Sequence, residues 1–456
     1  MNLEGAEHVE ENRVKYKKNI INCMKSKLSV AANGERLAIL LEDNGLPLLY
    51  PNLFITAIYR NDDQSSGSCK KALEHITYFY EIIKGLKIDI ERRCESGSFL
   101  SLQEIKKISY FAGITQKAAR AKLINESSTI SINSHKPKLL ETARHVIRVE
   151  KREDTVSWQT RYNRLTVFGR YVNWLEKYHY PYQGNESEEY FFDERPGKNE
   201  GLTYCEIHEQ LSFKSLDKDQ RNIFLDRIRP DYPDSPWINS GVRYRNFALA
   251  MTLYVLGVRI GESLNIKLED FIVKNGCSYV VIKRSAGDLG DPRVNQPKVK
   301  TNSRALALSP QLKSILDNYI LEHRSRVQGA AHCPFLFISH RTRNNEVLPL
   351  SISGAEKVFR EFAQIMGFHL HPHCLRHTWN DRYSESAEKL IARGKTTEEK
   401  TEADRCHLMG WAKGSTMSLV YSSRYDTKRA MQHALHLQDE DFELKESIAY
   451  DNDVPM

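Results

Sequence analysis

From Asn246 to Gly257 the chain reads as an apolar helix, and two residues behind its closing glycine stands an arginine, Arg259. Any fold that accepts this order must bring a guanidinium against its own core, and such a charge is costly to bury without a partner. A second cation has the same problem. Pro372 favours a helix start, and His373, Arg376 and His377 follow at i, i+3 and i+4, so one helix face carries all three. The chain must therefore present cations from two separate helices to one pocket.

Around these helices the pattern is mainly α with a small β-hairpin. Apolar residues at three-and-four spacing predict a helix over 70–84 through Leu73, Ile76, Phe79, Tyr80 and Ile83. Ser101 and Glu104 form a capping box for a helix reaching Phe111. Trp158, Tyr162, Leu165, Phe168, Tyr171, Val172 and Leu175 line a third helix, whose other face carries Arg161, Arg164, Arg170 and Lys177. Those arginines fit DNA contact and ordinary helix solvation equally. Pro47–Thr56 reads as extended. The basic stretch 13–27 reads as a solvated amphipathic helix, with a DNA-contacting arm as the sharper alternative.

In the C-terminal half, helices are expected at 217–229, 246–257, 259–268, 310–324, 351–366, 373–391 and 399–409. A strand over 278–283 pairs with a partner over 298–308. A short amphipathic helix is expected over 427–437. The expected division is an N-terminal basic extension, 1–44, a helical domain, 45–180, a linker, 181–210, a C-terminal domain, 211–440, and an acidic tail, 441–456.

Composition narrows the class. A chain of 456 residues points to two or three domains. At 40% hydrophobic and 27% charged residues it has the balance of a soluble globular protein. No apolar run approaches a membrane span, and Met1–Glu7 lacks the features of a secretory signal, so no membrane role and a cytoplasmic location are expected. Eight scattered cysteines with no CxxC argue against a disulfide scaffold or zinc site. No carboxylate or cysteine pair completes a metal site at His371 and His373. No Walker A, GxGxxG, GxSxG or HExxH motif is present. No cofactor or metal is expected. The formal net charge of +7 is permissive for a polyanion.

The chemistry follows from the cations. An oxygen nucleophile attacking a phosphodiester piles negative charge onto the non-bridging oxygens. Fixed guanidinium groups, with their planar forks, meet that charge bidentately. The boxes Gly257-x-Arg259-x-x-Glu262-x-Leu264, His373-x-Leu375-Arg376-His377, Leu408-x-Gly410-Trp411 and Tyr421 resemble, in order and spacing, the signature of the tyrosine recombinase (phage integrase) family. The resemblance covers 45–440, more loosely in its first half, which is similar to the SAM-like core-binding domain of bacterial members.

The resemblance implies a helical core-binding domain followed by an α+β catalytic domain. Arg259 and Arg376 would clamp the scissile phosphate. Lys300, in Lys300-Thr301-x-Ser303, would be the general acid, with Lys298 its rival on the same strand face. His373 would assist proton transfer, and His377 would support the pocket or be a core histidine that orients the others. Glu262 would pair with local basic side chains. Trp411 fills the position where many members carry histidine. Tyr421 would form the 3′-phosphotyrosyl link; it stands ten positions after Trp411, one more than is usual, and Tyr425 is its local rival. DNA contacts would come from Arg161, Arg164, Arg170 and Lys298. The partners implied are double-stranded DNA, three further copies in a homo-tetramer, and an accessory DNA-bending or directionality factor. The function implied is integration or excision of a mobile element. A catalytically idle DNA-binding regulator, a topoisomerase and a hairpin telomere resolvase are the other uses of this fold or chemistry.

Overall fold

The computed structural model describes residues 24–62, 64–128, 154–182, 186–197, 214–285, 287–299, 301–343, 346–412, 415, 425–427 and 429–440. It divides into two compact units, Met1–Thr203 and Tyr204–Met456. Both are mainly helical, with small antiparallel sheets.

The first unit begins with a hairpin, β1 (Met24–Val30) and β2 (Arg36–Glu42), in register from Met24 opposite Glu42 to Val30 opposite Arg36. The helix expected over 13–27 is thus corrected for 24–27, and 13–23 lie outside the described residues. The reason is period-two patterning: Lys25 and Lys27 are exposed while Met24 and Ser26 turn inward. Leu40 of β2 is fully buried, and the hairpin joins the helical core rather than standing apart from it.

Pro47–Thr56 is not extended either. Leu49–Phe54 forms α1 and continues as a π-helical turn, Ile55–Arg60. Pro51 falls within the first turn, where a missing N–H breaks no helical bond. Asn52 docks α1 on the hairpin, accepting the Leu40 N–H at 2.8 Å and donating to its carbonyl at 2.9 Å.

Then come α2 (Ser66–Gly85), α3 (Ile90–Glu95), α4 (Leu102–Ala112), α5 (Gln116–Ser128), α6 (Trp158–His179) and α7 (Ser187–Asp193). The expected stripe of α2 is buried, and the Ser101–Glu104 capping box opens α4. On α6, Leu165, Phe168, Tyr171, Val172 and Leu175 are inside, whereas Trp158 at its start is exposed. The expected linker contains α7, which lays Phe191 into the core and donates the Ser187 hydroxyl to the buried Glu176 at 2.7 Å.

The second unit starts with α8 (Lys218–Arg227), capped by Asp217 and Gln220. The apolar helix is α9 (Ser240–Leu256), and the chain restarts as α10 (Ile260–Leu264). A three-stranded sheet of β3 (Phe271–Lys274), β4 (Cys277–Ile282) and β5 (Arg304–Leu308) packs beside them in that order. The partner strand expected over 298–308 is shorter: it begins at Arg304, and Val299 makes only an isolated bridge to Ser285.

Next are α11 (Pro310–Asn318), its π-helical continuation Tyr319–Arg324, and a second hairpin of β6 (Ile338–Arg343) and β7 (Glu346–Pro349). The helices α12 (Ile352–Met366), α13 (Pro372–Ala392) and α14 (Glu398–Met409) follow, close to their expected bounds. Residues 425–427 and 429–440 are helical. The core of this unit gathers Leu249, Leu253, Leu306, Phe337, Phe359, Phe362 and Leu375.

Candidate active site

Gly257 ends α9 in the left-handed region, at φ +64°. A Cβ there would lie 2.6 Å from Cγ of Trp379, so only glycine fits the turn. The turn aims its carbonyl at α13, where it accepts Arg376 Nη1 at 2.8 Å. Two residues on, Arg259 caps α10 in an extended conformation. Its backbone N–H donates to Glu262 Oε2 at 2.8 Å, and its side-chain Nη1 lies 3.5 Å from Oε1.

Glu262 is the hub. It is only 2% exposed, yet Thr301 Oγ1 donates to it at 2.5 Å and Arg304 Nη2 at 3.0 Å, and Arg376 Nη1 stands 3.9 Å away. Burial pushes its carboxyl pKa up, but Arg304, Arg376 and the Thr301 hydroxyl outweigh that and hold it below the ordinary 4.5. One buried anion thus holds three arginines from three elements.

Arg304 escaped the sequence reading, which took it for an ordinary strand residue. It shares the inward face of β5 with Leu306 and Leu308 by period two, and that alternation was the signal available. Beyond Glu262, its Nε donates to the Leu408 carbonyl at 2.6 Å. Gly410, at φ +67°, leaves room for it, since a Cβ would meet Nη1 at 2.5 Å. Asn302 N–H donates to the Gly410 carbonyl at 2.9 Å. The segment after Lys300 is in this way joined to the end of α14, one residue before Trp411.

Arg376 is fully buried and also donates to the Met409 carbonyl at 3.3 Å. Its guanidinium stands 5.7 Å from the Trp411 ring centre, and Trp411 packs with Met409, Trp379 and Cys406. The Arg259 side chain keeps 35% of its surface exposed. Arg376 by contrast has no exposed surface.

His371 caps α13 by accepting the Cys374 N–H at 3.2 Å. Of the three residues expected on one face, Arg376 and His377 are buried and His373 is exposed. The rings of His373 and His377 meet edge to face at 4.5 Å. Lys298 is half-buried and lies before β5 begins. Lys300 and Tyr421 lie outside the described residues. Tyr425 is described: its hydroxyl donates to Glu388 of α13 at 2.8 Å. Burial and that carboxylate both push its phenol pKa up, which opposes the phenolate a nucleophile needs.

In the first unit, Arg164 is committed to structure. It donates to the carbonyls of Ala112 and Ile114 at 3.0 and 2.8 Å and lies over the Tyr78 ring. Arg170 and Lys177 are exposed, and Arg161 is half-buried. Among the described residues, no group of three or more His, Cys, Asp or Glu side chains is arranged to hold a metal ion. No helix among them is long and apolar enough to cross a membrane.

The second unit thus gathers three arginines and the Thr301 hydroxyl around one buried carboxylate. Residues 214–390 match the model of the phage integrase family. It is similar to the TnP I resolvase of Bacillus thuringiensis, at 31% identity over 29% of this chain and 38% of the relative. It is also similar to tyrosine recombinase XerA of Pyrococcus furiosus, at 24% identity over 30% of this chain and 40% of the relative. The chain thus spans about two fifths of the length of the curated relatives it matches. Among solved structures, XerH site-specific recombinase bound to palindromic difH substrate aligns over 78% of this chain and 95% of its own. The identity there is 17% and the TM-score 0.42. The Tn1549 transposon integrase in complex with circular intermediate DNA aligns over 73% and 100%, with 16% identity and a TM-score of 0.36.

Proposed function

We propose that this chain is a site-specific DNA recombinase, an integrase of a mobile element, that cuts and rejoins duplex DNA through a 3′-phosphotyrosyl intermediate. The observation that carries this reading is the Glu262 hub, which gathers Arg259, Arg376 and the segment beside Lys300 around one buried anion. Arg259 and Arg376 clamp the scissile phosphate and meet the charge that builds on its oxygens. Tyr421 Oη attacks phosphorus, and the phenolic proton passes to His373 or to water. The P–O5′ bond breaks as Lys300 protonates the departing oxygen. Trp411 packs at the Arg376 guanidinium and bounds the pocket. The phosphotyrosyl bond keeps the energy of the broken linkage, so a free 5′ hydroxyl reverses the steps without ATP.

Phosphate contacts supply most of the affinity, and binding weakens steeply with salt. Arg161, Arg170, Lys177 and Lys298 are the candidates for those contacts. Four copies assemble on two DNA sites, with the helical residues 429–440, whose Met431, Leu435 and Leu437 are exposed, docking on a neighbour. An accessory bending or directionality factor sets the direction of exchange.

The test is a nicked suicide duplex carrying the ends of the element that encodes the chain. The native protein is expected to accumulate a covalent adduct. Tyr421→Phe should lose it while keeping duplex affinity within about threefold. An adduct that persists in Tyr421→Phe overturns the nucleophile assignment.

A further inference from the structure

Two side chains on the far side of Tyr421 hold the same carboxylate. Tyr425 donates its hydroxyl to Glu388 Oε2 at 2.8 Å, and Arg429 forms an ion pair with Oε1 of the same residue. Arg429 is steadied in turn by Asp426 at 3.1 Å. Glu388 belongs to α13, the helix that carries His373, Arg376 and His377. Beyond Tyr425, every described side chain of the terminal helical stretch is exposed. Glu388 ties that stretch to α13 through Tyr425 and Arg429.

From this geometry we propose that Glu388 is a positioning residue for the nucleophile. By holding Tyr425 and Arg429 it fixes the chain four residues beyond Tyr421 to the helix that bears Arg376. The inference rests on the reading of Tyr421 as nucleophile.

Chain length gives it magnitude. An extended backbone covers at most ~3.6 Å per residue, so the Tyr425 anchor keeps Tyr421 within ~14 Å of it. Measured from Trp411, ten residues back, the same chain-length limit is ~36 Å. The second anchor confines the search volume of the hydroxyl, and such confinement raises the rate of an attack that needs one orientation. The same carboxylate keeps Tyr425 protonated and engaged, so the two neighbouring tyrosines do not compete. The pair is specific to position rather than to folding: the Glu388 and Arg429 side chains are 42% and 49% exposed. Their replacement leaves the core untouched.

The experiment uses the full-length chain with two readouts. The first is amide hydrogen exchange over 425–440 without DNA. The second is the rate of covalent adduct formation on the nicked suicide duplex at saturating DNA, with the linked tyrosine mapped by mass spectrometry. Glu388→Ala is expected to speed exchange in the terminal helix and slow adduct formation at least tenfold, with duplex affinity unchanged. Tyr425→Phe should slow it about threefold, with all adduct on Tyr421. The swap of Glu388→Arg with Arg429→Glu should recover a large part of the rate, because the pair re-forms with reversed polarity. An unchanged rate in Glu388→Ala, or no recovery in the swap, overturns the proposal. Adduct that persists in Tyr421→Phe instead overturns the nucleophile reading, and the exchange result stands apart from it.

Discussion

Two glutamates of the second unit each hold arginine, and they do opposite work. Glu262 is buried, and Arg259, Arg304 and Arg376 converge on it from three elements. Glu388 lies on α13 with 42% of its side chain exposed and holds Arg429 and Tyr425. In the first case the medium is poor in water, so losing any partner strands a charge. In the second, water replaces whatever is lost, and an exposed pair adds little to stability. The contrast teaches that the same ion pair is a folding device when enclosed and an aiming device when open.

The largest break in that contrast comes from the buried side. Glu262→Ala leaves Arg304 and Arg376 without their anion and should cost about 3–5 kcal/mol. Urea denaturation of the full chain measures this as a lower midpoint; Glu388→Ala should move the midpoint by less than about 1 kcal/mol. Equal shifts in the two variants would dissolve the distinction.

Gly410→Ala comes next. It combines a left-handed backbone with a Cβ 2.5 Å from Arg304 Nη1. A loss of about 1–3 kcal/mol is expected, with an adduct rate that falls further than stability alone explains, because Trp411 is displaced with it.

Acid sharpens the comparison. Glu262 has its pKa held low, so its stabilisation is full above the ordinary 4.5 and is lost as pH falls through the lower folded value. Histidines act in an earlier window. Burial lowers His340 in this unit and His75 in the first unit from 6.5 to about 4. Their neutral forms are needed for packing, so stability should fall as pH drops from 6.5 to 4, before Glu262 protonates. Thermal melts across pH 7 to 3 should show both stages, and His340→Phe should remove part of the earlier one.

The smallest effect separates the arginines of α6. Arg164→Ala should lower the stability of the first unit by about 1–3 kcal/mol, because two buried carbonyls lose their donor. Arg170→Ala should leave stability alone and reduce the salt slope of duplex binding by about 1. A salt slope that changes with Arg164 and not with Arg170 would reverse their roles.

Legibility followed periodicity. α2, α6 and α12 were readable because each buries one apolar stripe, α4 from its capping box and α13 from Pro372 at its start. The basic hairpin was not, since Lys25 and Lys27 suit a solvated helix as well as an outward strand face until β2 supplies a partner. Nor was α7, whose acidic and aromatic letters look like a linker until Phe191 finds the core. At the site, spacing singled out Arg259 and Arg376, which the structure brings to Glu262, while Trp411 entered through the resemblance alone; Arg304 was missed, because strand letters do not say which arginine meets an anion.

By itself, the sequence determined the helix faces, the glycine break at Gly257 and the order of the boxes, since these depend on residues a few positions apart. Only the tertiary structure decided which carboxylate gathers the arginines, that Arg376 is enclosed while Arg259 is open, and that Tyr425 is held by Glu388. Those outcomes turn on contacts between residues up to 119 positions apart, as from Arg376 to Gly257. Burial changes the strength of such contacts in ways no local pattern encodes.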